Sequence, residues 1–226
     1  MTEDGAASKA EQLAHARPAV ERWLSWSGLV PLPAFLLLHL SRELRLAFAD
    51  DVSDVLRPAP SAFAMATSWL LVWLPLLVHI ALGVFLLLDG RRLSPPPGGD
   101  VPRMSRLVSR ASAVLALLFV LLHARSYAFS VWLDEADPRD AGFRLLAELS
   151  STQLGVPLLS GAYLLGLLAT ASHASLALHR GLAAEGLLAT SARRQRSARA
   201  CTAFGVLLFG VGAAAVIRVA SGVLLR

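Results

Sequence analysis

Residues 66–88 read ATSWLLVWLPLLVHIALGVFLLL. A helix needs about 20 apolar residues to cross the hydrocarbon core of a bilayer, and this stretch is long enough without a single Asp, Glu, Lys or Arg. Within lipid the backbone has no water to bond, so such a segment must be helical. One ionisable side chain, His79, lies inside it. An ionisable group at that depth is costly and usually has a purpose.

Four more segments follow the same pattern: roughly Trp23–Leu44, Leu107–Val131, Val156–Leu178 and Ala200–Leu225. The chain is 55% hydrophobic and only 16% charged, against about 25% charged for a soluble domain. Its mean hydropathy is +0.58. These figures predict an all-α membrane protein, a five-helix transmembrane bundle over 21–226 behind a polar N-terminal tail over 1–20. The tail lacks the basic start, apolar run and cleavage site of a signal peptide, so the first span is expected to be retained. The lone Cys201 excludes an intrachain disulfide and any CxxC site. No phosphate-binding glycine loop and no HExxH occurs. A Pro/Gly-rich run, SPPPGGDVP, marks the second connection as a loop.

The net charge of +5 is better explained by topology than by nucleic acid. Thirteen basic residues belong to the tail and the second and fourth connections: Lys9, Arg17, Arg22; Arg91, Arg92, Arg103, Arg106, Arg110; Arg180, Arg193, Arg194, Arg196, Arg199. Six belong to the first and third: Arg42, Arg45, Arg57, Arg125, Arg139, Arg144. The positive-inside rule then puts the N-terminus in the cytoplasm and the C-terminus on the other side.

Three of the other spans also carry one histidine each: His39, His123 and His173. With a rise of about 1.5 Å per residue and alternating span direction, His39 and His123 fall at one depth, toward the outer face. His79 and His173 fall at another, toward the cytoplasm. Imidazole is a standard axial ligand of haem iron. Four such residues on four helices, paired by depth, predict two haems stacked across the membrane, His39 and His123 on the outer iron, His79 and His173 on the inner. Histidines serving only as polar contacts between helices are the plainer alternative. A zinc site is disfavoured because no cysteine lies near them and only Glu43 sits one turn from a candidate ligand. His15 and His179 fall outside the pattern and are expected to be structural or surface residues.

The spacing of these residues resembles the cytochrome b subunit of succinate:quinone oxidoreductases, in its single-polypeptide, five-helix, two-haem form. The first span reads Gly28-x-Val30-Pro31-x-x-x-Phe35-Leu36-x-x-His39-Leu40, after Arg22 and Ser25. The second reads Leu74-Pro75-Leu76-Leu77-x-His79-x-x-x-Gly83, and the third places Arg110 thirteen residues before His123. The fourth reads Tyr163-x-x-Gly166-x-x-x-Thr170-x-x-His173-x-Ser175. The resemblance covers about residues 20–225. The chain departs from it at Leu24, Ala113, Leu176, Ala177, His179 and Glu185, none of them a proposed ligand. Ala171 stands where some fumarate reductases carry a glutamate, which favours the succinate-oxidising type.

The resemblance implies a membrane anchor of complex II with two haems b. A flavoprotein subunit and an iron–sulfur subunit would dock at the cytoplasmic face, and electrons would pass through the inner and then the outer haem to a quinone, expected to be menaquinone. Dimerisation of such complexes stays open. Arg22, Ser25 and Arg110 lie at the depth of the inner haem's propionates; Arg42, Arg125 and Arg218 are candidates for the outer one, or snorkel to the interface. Glu43, Asp50 and Asp51 are outer-side acids near a quinone's expected depth. A haem subunit of another membrane oxidoreductase, such as a formate dehydrogenase or hydrogenase, and a haem-free transporter or scaffold are the alternatives.

Overall fold

The computed structural model describes residues 19–29, 31–48, 61–88, 103–129, 131, 137–153 and 155–221. Nearly all of them are helical. Most of the N-terminal tail, together with Asp50, Asp51, Arg57, Arg91 and Arg92, lies outside the described residues.

Among the described residues, four helices are long and apolar enough to cross a membrane: Met65–Leu88, Arg106–Ala124, Leu158–Ala184 and Ser191–Ala220. They correspond to the second to fifth segments of the sequence reading. The first, Trp23–Leu44, is helical in two pieces, α1 (19–29) and α2 (Pro31–Phe48). The 18 residues of α2 include Arg42, Glu43 and Arg45, so it offers no uncharged window of spanning length. Pro31 and Pro33 open α2 rather than interrupt a span. In a first turn the missing proline N–H costs nothing, because that donor has no intrahelical partner anyway.

The second span starts as α3 (Ala62–Ser68), widens into a π-helical turn over Trp69–Trp73, and continues as α4 (Leu74–Leu88). Pro75 is the second residue after the wide turn. A proline ring crowds the carbonyl four residues before it, here that of Leu71 inside the turn, and a π-turn is one way for a helix to accommodate that strain. The third span, α5 (Arg103–Ala124), ends just past His123 in a second π-turn over Arg125–Phe129.

The third connection holds a helix of its own, α6 (Pro138–Ser150). The Asp137 carboxylate accepts from the Arg139 amide at 2.7 Å, and Pro138 stands at the first helical position. Ala141, Leu146 and Leu149 are buried on one face while Arg139, Asp140, Arg144 and Glu148 are exposed on the other.

A tight turn with Gly155 at φ +77° leads into α7 (Leu158–Ala184). This helix ends by a Schellman arrangement: the Leu187 amide bonds the Leu182 carbonyl, the Gly186 amide bonds that of Ala183, and Gly186 takes φ +74°. Thr190 then caps α8 (Ser191–Ala220), its hydroxyl accepting from the Arg193 amide.

The core centres on α7, flanked by α5 and α8, with α2 lying against α8. Along α8 the buried positions 201, 205, 208, 212, 216 and 219 are spaced by three or four residues, the seam of a helix packed lengthwise on a neighbour. A Cβ at Gly205 would come 3.0 Å from Ser175 Cβ, and one at Gly212 would come 3.0 Å from Leu167, so both glycines permit close approach of α7. A Cβ at Gly210 would meet nothing within 4 Å. Hydroxyls tie the helices together. Ser175 donates to the Cys201 carbonyl at 2.7 Å, Ser150 to Val219 at 2.8 Å and Ser160 to Leu149 at 2.6 Å.

Candidate cofactor-binding site

Two pairs of histidines meet inside the helical assembly. The rings of His39 on α2 and His123 on α5 lie 5.8 Å apart, centre to centre, inclined at 67°. The rings of His79 on α4 and His173 on α7 lie 6.2 Å apart, inclined at 66°. Tyr163, which touches His123, and His173 are ten residues apart on α7, so the two pairs lie about 15 Å apart along that helix.

Each pair has its own surroundings. One turn before each member of the His39–His123 pair stands a phenylalanine whose ring lies nearly parallel to the imidazole. Phe35 is 5.3 Å from His39 at 17°, and Phe119 is 5.8 Å from His123 at 22°. Tyr163 meets both Phe119 and His123 edge-on, and its hydroxyl is 3.4 Å from His123 Nδ1. Tyr163 belongs to a buried cluster with Leu146 and Leu149 of α6 and Val216 and Val219 of α8. Gly166 leaves the space that Phe119 fills, since a Cβ there would collide with the Phe119 ring.

The His79–His173 pair has no phenylalanine one turn before either ring; Pro75 and Ala169 hold those places. His79 Nδ1 is instead 3.2 Å from the Leu24 carbonyl and 3.3 Å from Ser27 Oγ, both on α1. The Ser27 hydroxyl in turn donates to the same carbonyl at 3.0 Å. Gly28 completes the contact: a Cβ there would stand 2.7 Å from His79 Cε1. His173 Nδ1 is buried with no hydrogen-bond partner among the described residues.

A first-row metal bonds an imidazole nitrogen at about 2 Å, and the ring centre lies about 1 Å further back, so two imidazoles on opposite sides of one metal have centres about 6 Å apart. Both pairs fit that separation. Hydrogen bonding at Nδ1 is also the usual way to fix a ligating histidine's tautomer and leave Nε2 to the metal. Among the described residues no three of His, Cys, Asp or Glu gather as a larger metal cluster.

Of the other site residues read from sequence, Arg22 and Arg110 are exposed and Ser25 is half-buried. The serine that meets His79 is Ser27, which sequence reasoning did not single out. Its signal is faint: one helical turn beyond Leu24, next to Gly28. Arg180, half-buried near the end of α7, donates to Ser109 Oγ of α5 at 2.5 Å. His179 Nδ1 is 3.0 Å from Ser197 Oγ, a joint between α7 and α8 that suits the structural part expected for it. Arg125 is exposed in the second π-turn and Arg218 is half-buried on α8. The side chains of Arg42 and Glu43, and Asp50 and Asp51 altogether, lie outside the described residues. The chain matches no family model, no curated protein and no solved structure.

Proposed function

We propose that this chain is a two-haem cytochrome b that anchors a succinate:quinone oxidoreductase in the bacterial inner membrane, N-terminus in the cytoplasm. The carrying observation is the pairing: four histidines on four helices form two pairs, each at the ring separation that two axial ligands of one metal require. His39 and His123 would hold one haem and His79 and His173 the other. Bound b haems would supply a one-electron relay between an iron–sulfur partner and membrane quinone.

The residues around each pair suit that task differently. Leu24 and Ser27 orient His79, and Tyr163 orients His123, by bonds to the nitrogen that does not face the metal. Phe35 and Phe119 pack against their imidazoles and keep the His39–His123 level apolar. Arg22, Ser25 and Arg110, toward the cytoplasmic end on this orientation, are the proposed propionate partners. The flavoprotein and iron–sulfur subunits would dock on that face, and succinate oxidation with menaquinone is the favoured direction.

A dithionite-minus-oxidised spectrum with a pyridine haemochrome assay on the purified membrane protein tests this. Two haems b per chain are expected, and His79→Ala or His173→Ala should each lose one haem while keeping the other. A folded preparation without haem would overturn the proposal. One second reading has an observation in its favour: the bonds of His79 to α1 and of His123 to Tyr163 also suit histidines that merely join helices in a haem-free scaffold.

A further inference from the structure

We infer that α1 is a clasp for His79 alone, with the Leu24 carbonyl, Ser27 and Gly28 as positioning residues that set the electronic character of one histidine pair and not the other. The inference rests on the proposed haem ligation for its redox consequence, but its geometry does not depend on haem.

Three contacts from one short stretch of α1 converge on a single imidazole. The Leu24 carbonyl and the Ser27 hydroxyl both lie within hydrogen-bond distance of Nδ1. Gly28 lies flat against the Cε1–Nδ1 edge, where any Cβ would displace the ring. A carbonyl already shared with the Ser27 hydroxyl points to a donated proton from His79, which fixes the Nδ1–H tautomer and leaves Nε2 as the donor to metal. Facing it, His173 Nδ1 has no such partner. The pair is therefore unequal, with one ligand polarised by α1 and one that is not.

The consequence is directional. Hydrogen bonding at Nδ1 makes an imidazole a stronger electron donor and so favours the ferric state. Loosening the clasp should raise the midpoint potential of the haem held by His79 and leave the His39–His123 haem where it was. The outer side of α1 carries exposed Arg22, Trp23 and Trp26, of which the tryptophans suit a membrane interface. Any shift of α1 at that surface would be felt at His79 Nδ1.

The test uses the full chain in detergent or nanodiscs, as wild type, Gly28→Ala, Ser27→Ala, Ser27→Thr and the control Gly210→Ala, whose new methyl meets nothing within 4 Å. Redox titration and EPR of the haem-loaded protein form one arm. NMR of ¹⁵N-histidine-labelled, haem-free protein, reading the His79 Nδ1–H, forms the other. Gly28→Ala is expected to lose the His79 haem or raise its potential, with the second haem unchanged, and to lose the Nδ1–H bond in the NMR arm. Ser27→Ala should move the same single potential by less, and Ser27→Thr should restore it. Gly210→Ala should change neither. Equal changes at both haems, or none in Gly28→Ala, would overturn the clasp. Should wild type bind no haem, the proposed function falls, and the NMR arm still decides the clasp: a bonded Nδ1–H lost in Gly28→Ala sustains it, and an unbonded one in wild type ends it.

Discussion

The two histidine pairs are built from the same residue type at nearly the same ring separation, yet they are held by opposite chemistry. His39 and His123 sit among aromatic rings, each with its own phenylalanine one turn back and with Tyr163 alongside. His79 is held by a backbone carbonyl and a hydroxyl from another helix, and His173 Nδ1 by neither. Aromatic packing surrounds the first pair, with a single longer bond from Tyr163 to His123, and hydrogen bonding from another helix positions one half of the second. A packed ring resists a change of volume, while a bonded ring resists a loss of direction, so different substitutions should disturb the two pairs.

Removing the rings themselves has the largest expected effect. His123→Ala and His39→Ala should each abolish one haem, the double variant should be no worse than either single one, and His79→Ala should abolish the other haem. Haem-to-protein ratios check this, and a loss of both haems from any single variant would erase the distinction between the pairs. Next in size is Gly166→Ala, which forces the Phe119 ring from its place beside His123. Overpacking of this kind costs about 1–3 kcal/mol, read as a lower thermal midpoint in detergent, with the His39–His123 centre disturbed and the His79 centre intact. Tyr163→Phe keeps the packing and removes the hydroxyl, a loss of about 0.5–1.5 kcal/mol; the spectrum of the same single centre should shift. Smallest is Gly210→Ala, which should stay within about 0.5 kcal/mol of wild type and calibrates the rest. If it proved as damaging as Gly166→Ala, the volume argument would be wrong.

The four long spans were legible because apolar length alone identifies a helix in lipid. So was the pairing of the histidines, which needed only helix rise and alternating direction. What was not legible follows from the same logic. Residues 138–150 are too polar to register as a span, and their charges read as a solvated loop; only the Asp137–Pro138 cap and the buried positions Ala141, Leu146 and Leu149 betray a helix lying on the bundle. The first apolar stretch is helical over 19–29 and over Pro31–Phe48, and the residues that set it apart, Pro31, Arg42, Glu43 and Arg45, are plain in the sequence. Ser27 escaped notice because contact across helices depends on how two cylinders are rotated against each other, and no spacing within one segment encodes that. The same holds for Arg180, which the sequence assigns only to topology and which bridges α7 to α5 through Ser109.

The wide turn over Trp69–Trp73 has a bearing on how this span tolerates change in length. A π-turn holds one residue more than the α-helical path it replaces. Deleting a single residue there would let α3 and α4 join as a regular helix with the two halves keeping nearly their present phase, because the wide turn already absorbs the extra residue. His79 would keep its bearing toward Leu24 and His173, and the local change would fall on the Trp69–Trp73 contact, whose ring centres are 6.1 Å apart. The same deletion inside α4, between the turn and His79, has no such slack and would turn the imidazole by about 100° relative to the upstream half. The turn is thus a length buffer in the second span, a place where a residue can be lost without redirecting the imidazole six positions further on.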